Sequence, residues 1–69
     1  MPLTLANIGE AHLIRKVGGS PEVKKHLEDL GFVAGGSVTV VSEIGGNLIV
    51  NVKDARVAIS RALAGKIMI

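Results

Sequence analysis

The chain has no cysteine, tryptophan or tyrosine, and Phe32 is its one aromatic residue. Without cysteine there is no disulfide and no thiolate metal centre, so 69 residues lack two of the usual reinforcements of a small domain. The missing aromatics argue against single-strand nucleic acids held by base stacking, and against a groove for proline-rich peptides. No apolar run approaches the roughly 20 residues that span a bilayer. The opening MPLTLANIGEAH also lacks the basic start and apolar run of a signal peptide. A cytoplasmic protein with no direct membrane insertion is therefore expected. Charge of one sign is scarce as well, at a net +2. The segment from Lys53 to Ile69 is mildly basic, with Lys53, Arg56, Arg61 and Lys66 against Asp54 alone. Nucleic-acid binders show a denser basic stripe, so no nucleic-acid partner is expected.

What is present is apolar: 48% of the residues are hydrophobic and 20% charged, enough for a core and unlike a disordered chain. A chain this short buries only about 60% of the surface its unfolded form exposes, so its stability is marginal. One domain over residues 1–69 is the expectation.

Ala11 to Val17 reads as a first strand, ended by Gly18-Gly19. Ser20 suits a helix cap, Pro21 the first helical position and Glu22 the positive end of the macrodipole. Val23, Leu27 and Leu30 then form one apolar stripe, and Gly31 supplies the stop. After Phe32 the period changes. Val38, Val40, Ser42 and Ile44 share one strand face, and Leu48, Val50 and Val52 one face of the next. Gly45-Gly46 between them is a hairpin signal, because tight turns need the positive φ that glycine adopts freely. Beyond Asp54, Arg56 to Ile59 reads as a short strand, Ser60 to Ala64 as one helical turn and Lys66 to Ile69 as the last strand. Short strands joined by tight turns predict a small barrel.

The outward phase of the hairpin contains Val41 and Ile49, apolar where a solvated sheet would be polar. With Lys53 and Arg56 at its margin, this face is the expected partner-binding surface, and its exposed apolar strands could support a homodimer.

Catalytic chemistry finds little to work with. Serines at 20, 37, 42 and 60 suit cap, strand edge, strand face and cap; no G-x-S-x-G occurs, and Gly65-Lys66 runs into Ile67 without the rest of a phosphate loop. His12, His26 and Glu22, the last one helical turn before His26, are the only candidates for metal ligation. Their spacing matches no specific metal motif, and solvated surface histidines are the simpler reading. The glycine pairs at 18–19, 35–36 and 45–46 read as turns between elements.

The order of these features resembles the FeoA family, small cytosolic components of bacterial ferrous-iron uptake. The resemblance runs from Leu3, Ala6 and Gly9 through Val17-Gly18-Gly19 to Leu27-x-x-Leu30-Gly31-Phe32-x-x-Gly35-x-x-Val38-x-Val40. It continues as Leu48-x-Val50-x-Val52, Val57-Ala58-Ile59 and Ala64-x-x-Ile67-x-Ile69. Lys25-His26 and Ile59-Ser60 depart from it, standing where the family commonly has a helical Arg and a Leu-Arg pair. The resemblance implies a mainly β, SH3-like barrel with one inserted α-helix at about residues 21–30 and a short helical turn near 60–64. It implies no catalytic residue and no cofactor. Its partner would be a FeoB-type membrane transporter with a cytosolic GTPase domain, met by protein–protein docking. Iron and transition-metal binding enter only through this resemblance.

The same barrel is similar to the C-terminal domain of DtxR-type metal-dependent repressors. With no DNA-reading domain ahead of Met1, the transporter accessory is the expected reading. A rival is a small dimeric DNA-binding factor of the AbrB type, which shares the pattern Leu-Gly-Phe-x-x-Gly-x-x-Val-x-Val. That family lacks the C-terminal Val57-Ala58-Ile59 and Ala64-x-x-Ile67 segments.

Overall fold

A computed structural model describes residues 1–69. After a 3₁₀ turn at Leu3–Leu5 come β1 (Ala11–Leu13), β2 (Lys16–Val17), α1 (Pro21–Asp29), β3 (Ser37–Ile44) and β4 (Asn47–Val52). Then follow β5 (Ala55–Ser60), α2 (Arg61–Ala64) and β6 (Ile67–Met68). One antiparallel sheet has the order β1-β3-β4-β5, and β2 pairs with β6 in a second sheet.

The stretch expected as one strand over Ala11 to Val17 is two. Between β1 and β2, Ile14 is fully buried, while its backbone leaves the large sheet for the small one. Ile14 N–H donates to Gly36 O at 2.8 Å and Ile14 O accepts from Gly35 N–H at 2.8 Å; Arg15 N–H then donates to Met68 O at 2.7 Å. One kinked segment serving two sheets makes the corner of a small barrel. The chain ends meet on the second sheet, where Ile69 N–H donates to Met1 O at 2.7 Å and Pro2 bridges Met68.

Helix α1 begins and ends for local reasons. The Ser20 hydroxyl accepts from Val23 N–H at 3.3 Å, satisfying one of the donors left free at a helix start. At the other end Phe32 N–H reaches Leu27 O at 3.0 Å and Gly31 N–H reaches Glu28 O at 2.9 Å. This Schellman closure requires a left-handed residue, and Gly31 has φ of 110°. It also delivers Phe32, the largest fully buried side chain, into the core beside Leu27. Val23 and Leu30 complete the stripe, partly buried against the same cluster.

The β3–β4 hairpin turns at Gly45 and Gly46, with φ of 56° and 81°. Val38 and Val40 face Val52 and Val50 in the core, but the register shifts between Val40 and Ser42. There Val41 and Ser42 together oppose Ile49, a β-bulge that reverses the facing of everything beyond it. Ser42 and Ile44 therefore do not share the face of Val38 and Val40, as simple alternation had them; Ile44 is 66% exposed. Glu43 comes instead to the side of Leu48 and pairs with Arg61 at the start of α2.

The core is one cluster of 14 apolar residues with no buried polar side chain among them, drawn from both sheets, α1, α2 and the 3₁₀ turn. The fold class is mainly β with one inserted helix. The short helical turn lies at Arg61–Ala64, capped by Ser60, whose hydroxyl accepts from Leu63 N–H at 3.2 Å.

Candidate docking surface

Alternation in the four-stranded sheet sends one set of side chains to the core and the other to an open face. On the open face Val41 and Ser42, Ile49 and Ala58 form one row across β3, β4 and β5. The next row is Ala11, Thr39, Asn51 and Arg56, and Leu13 with Ser37 follows. Val41 and Ile49 are half-buried by their neighbours, whereas Leu13 and Ile44 are more than 60% exposed. An apolar band thus runs across a sheet face that solvent alone would leave polar.

Arg56 lies diagonally next to Ile49 and donates from Nε to Asn51 Oδ1 at 3.4 Å. Lys53 stands farther along, in the β4–β5 turn. It lines a polar cleft of about 460 Å³ with Asp54, Asn51, Thr39, Ser37 and the glycines 31 and 36. Both turn residues have positive φ, 48° for Lys53 and 61° for Asp54. Non-glycine residues adopt that region at a steric cost, so the turn holds a strained pair at the cleft wall. Of the four residues expected on a partner surface, Val41, Ile49 and Arg56 fall close together, with Lys53 at the end of the face. Leu13, Ile44, Ala58 and Asn51 join them unanticipated. Ile44 carried no signal, since only the bulge turns it outward; Ala58 could have been read from the alternation of β5.

The metal candidates are not gathered. Glu22 and His26 are both exposed, one turn apart on α1. His12 is in β1 opposite Val38, and its Nε2 is buried without a hydrogen-bond partner, 3.6 Å from Glu10 Oε2. The solvated reading therefore fits His26 and fails for His12. No group of three His, Asp or Glu side chains able to hold an ion occurs in the structure. The hydroxyls of Ser20 and Ser60 are taken up as helix caps. No helix is long and apolar enough to cross a membrane.

A mainly β protein of this size, with two small sheets and an inserted helix, has the fold of small SH3-like domains. The FeoA domain family matches residues 1–69, and the chain belongs to that family. It is 31% identical over 68 residues to a protein of Methanocaldococcus jannaschii named as an Fe(2+) transport protein A, across 99% of this chain and 83% of the relative. Among solved structures, the iron uptake regulatory protein FeoA superposes with a TM-score of 0.90 at 25% identity, covering 99% of this chain and 92% of that one. The zinc-complexed FeoA of Stenotrophomonas maltophilia, described as a prokaryotic SH3 domain protein, gives 0.84 at 26% identity, covering 99% and 87%. A manganese-dependent transcriptional repressor shares the fold alone, with a TM-score of 0.86 at 17% identity over 39% of its chain. Family membership over the whole length replaces the AbrB-type alternative, and α2 with β6 accounts for the C-terminal segment that alternative lacks.

Proposed function

We propose that this protein is a non-enzymatic accessory of ferrous-iron uptake, acting in the cytoplasm by docking onto the cytosolic part of a FeoB-type transporter. The observation that carries the docking face is the apolar row Val41, Ile49 and Ala58 beside Arg56 on an open sheet face. Family membership and the relative named for Fe(2+) transport support the transport role. The Stenotrophomonas protein is described as a candidate ferrous iron transport activating factor, a role of the same kind.

A face without Trp or Tyr lacks the anchors that dominate tight interfaces, so the contact is weak and transient. Lys53 and Arg56 favour an acidic partner surface and make the encounter salt-dependent. The test is an amide NMR titration of labelled protein with the cytosolic part of a cognate transporter, and separately with a mixed-sequence DNA duplex. Shifts confined to β3, β4 and β5 with the transporter part support the reading. Absence of shifts with the transporter, or salt-sensitive shifts with DNA alone, would remove it.

A further inference from the structure

Strand β5 ends the large sheet, and its outer edge is free. Lys53 and Asp54 make a two-residue turn, leaving Val52 and Ala55 as the first cross-strand pair. In such a hairpin that pair is hydrogen-bonded, and bonded and non-bonded pairs alternate beyond it. Ala55, Val57 and Ile59 therefore direct their backbone groups to β4, and Arg56, Ala58 and Ser60 direct theirs away. No turn, loop or cap bond uses the N–H or C=O of Arg56 or Ala58, or the N–H of Ser60. Free edges are commonly protected by charged side chains, above all lysine, by proline, a bulge or a covering element. β5 contains no proline or lysine, keeps an unbroken register with β4, exposes Ala55 and Ala58, and carries Arg56 as its one charge.

We propose that this edge pairs with the same edge of a second copy, antiparallel about a two-fold axis through Ala58. Three observations select that occupant and register. A two-fold at Ala58 sets Ala58 against its counterpart, where small side chains allow close approach, and Arg56 against Ser60 of the second copy. All three outward-facing residues then take part, giving about four backbone hydrogen bonds. A two-fold at Arg56 would oppose like charges, and one at Val57 would set Ser60 against Asp54 in the turn, shortening the ladder.

Second, the apolar row becomes continuous, because Ile49 lies across from Ala58 in each copy. Third, Arg56 stands opposite Ser60, across from which lies the exposed Asn47 amide, so the flanks of the apolar centre are polar. The same surface is self-complementary, as a two-fold interface requires. The pairing doubles the open face, and it stands whether or not a transporter is the partner.

The edge is short, so the dimer forms by mass action at high concentration. Sedimentation of the full chain should show the average mass rising from one chain toward two between about 10 µM and about 1 mM. Ala58→Pro removes an outward N–H that β4 does not use, and is expected to keep the circular-dichroism spectrum while abolishing the rise. Since the chain has no cysteine, Ala58→Cys reports directly. Paired residues in that register lie within disulfide reach, so oxidation should cross-link it at least about tenfold faster than the exposed turn variant Ala34→Cys. Equal cross-linking rates, a monomer throughout the range, or a folded Ala58→Pro that still dimerises would each overturn the proposal. If Ala58→Pro does not fold, the cysteine pair decides. No transporter enters the measurement, so its failure is separate from failure of the docking reading.

Discussion

Ile49 lies directly across the β4–β5 ladder from Ala58, while Val41 and Ser42 together face it from β3, where one extra residue bulges the strand. An isoleucine on the open face is thus flanked on both sides by small or branched side chains, and it is neither fully buried nor fully exposed. Its role is decided by what covers it.

Replacing Ile49 by Glu should leave the barrel intact, with the melting temperature changed by no more than a few degrees, since half-buried sheet-face changes cost about 1 kcal/mol or less. Affinity for the transporter's cytosolic part should fall by about tenfold or more, read by calorimetry or NMR. Val41→Glu should behave alike. Collapse of the circular-dichroism spectrum in either variant would assign that residue to the core.

Phe32 has no exposed surface and is set in place by the Gly31 closure of α1. Phe32→Ala should cost about 3–5 kcal/mol, comparable with the roughly 3–10 kcal/mol total stability of a domain of this length. Urea unfolding should show most of the folded baseline lost. A cost under about 1 kcal/mol would contradict its position in the core.

The Lys53-Asp54 turn carries two non-glycine residues at positive φ. Asp54→Gly relieves one of them and should stabilise the protein by about 0.5–1 kcal/mol, raising the melting temperature by about 2–8 °C. No change, or a loss, would show that the Asp54 side chain contributes contacts at the cleft that outweigh the backbone term.

Glu22 and His26 are exposed on α1, and His12 is half-buried in β1 beside Glu10. Without convergence of a third ligand, one equivalent of Zn²⁺ or Fe²⁺ should raise the melting temperature by less than about 1 °C, because only tight binding to the folded state stabilises it. A rise of several degrees that disappears in His26→Ala or His12→Ala would establish a site at that residue.

Much of the fold was legible because its signals are local. Ser20 and Gly31 bound α1 through hydrogen bonds made within one turn, Pro21 presets the φ of its first residue, and Gly45-Gly46 specifies a hairpin through backbone freedom alone. The alternation of Leu48, Val50 and Val52 gave the buried face of β4 correctly, because that strand has no irregularity. The 3₁₀ turn at Leu3–Leu5 was not legible: its buried Leu3 is held by packing rather than by any cap. The second hairpin turn was only partly so, since Lys53-Asp54 is not a pair that favours positive φ.

The residue pattern by itself determined a cysteine-free, mainly β domain with one capped helix, and it placed Val41 and Ile49 on the outward face. Only the tertiary structure decided where the strand over Ala11 to Val17 breaks, and which way Ile44 and Glu43 point. Burying Ile14 at the corner requires leaving one sheet for another, and the bulge at Val41 follows from the register between β3 and β4. Register and corner are properties of paired segments distant in sequence, so no window along a single strand contains them.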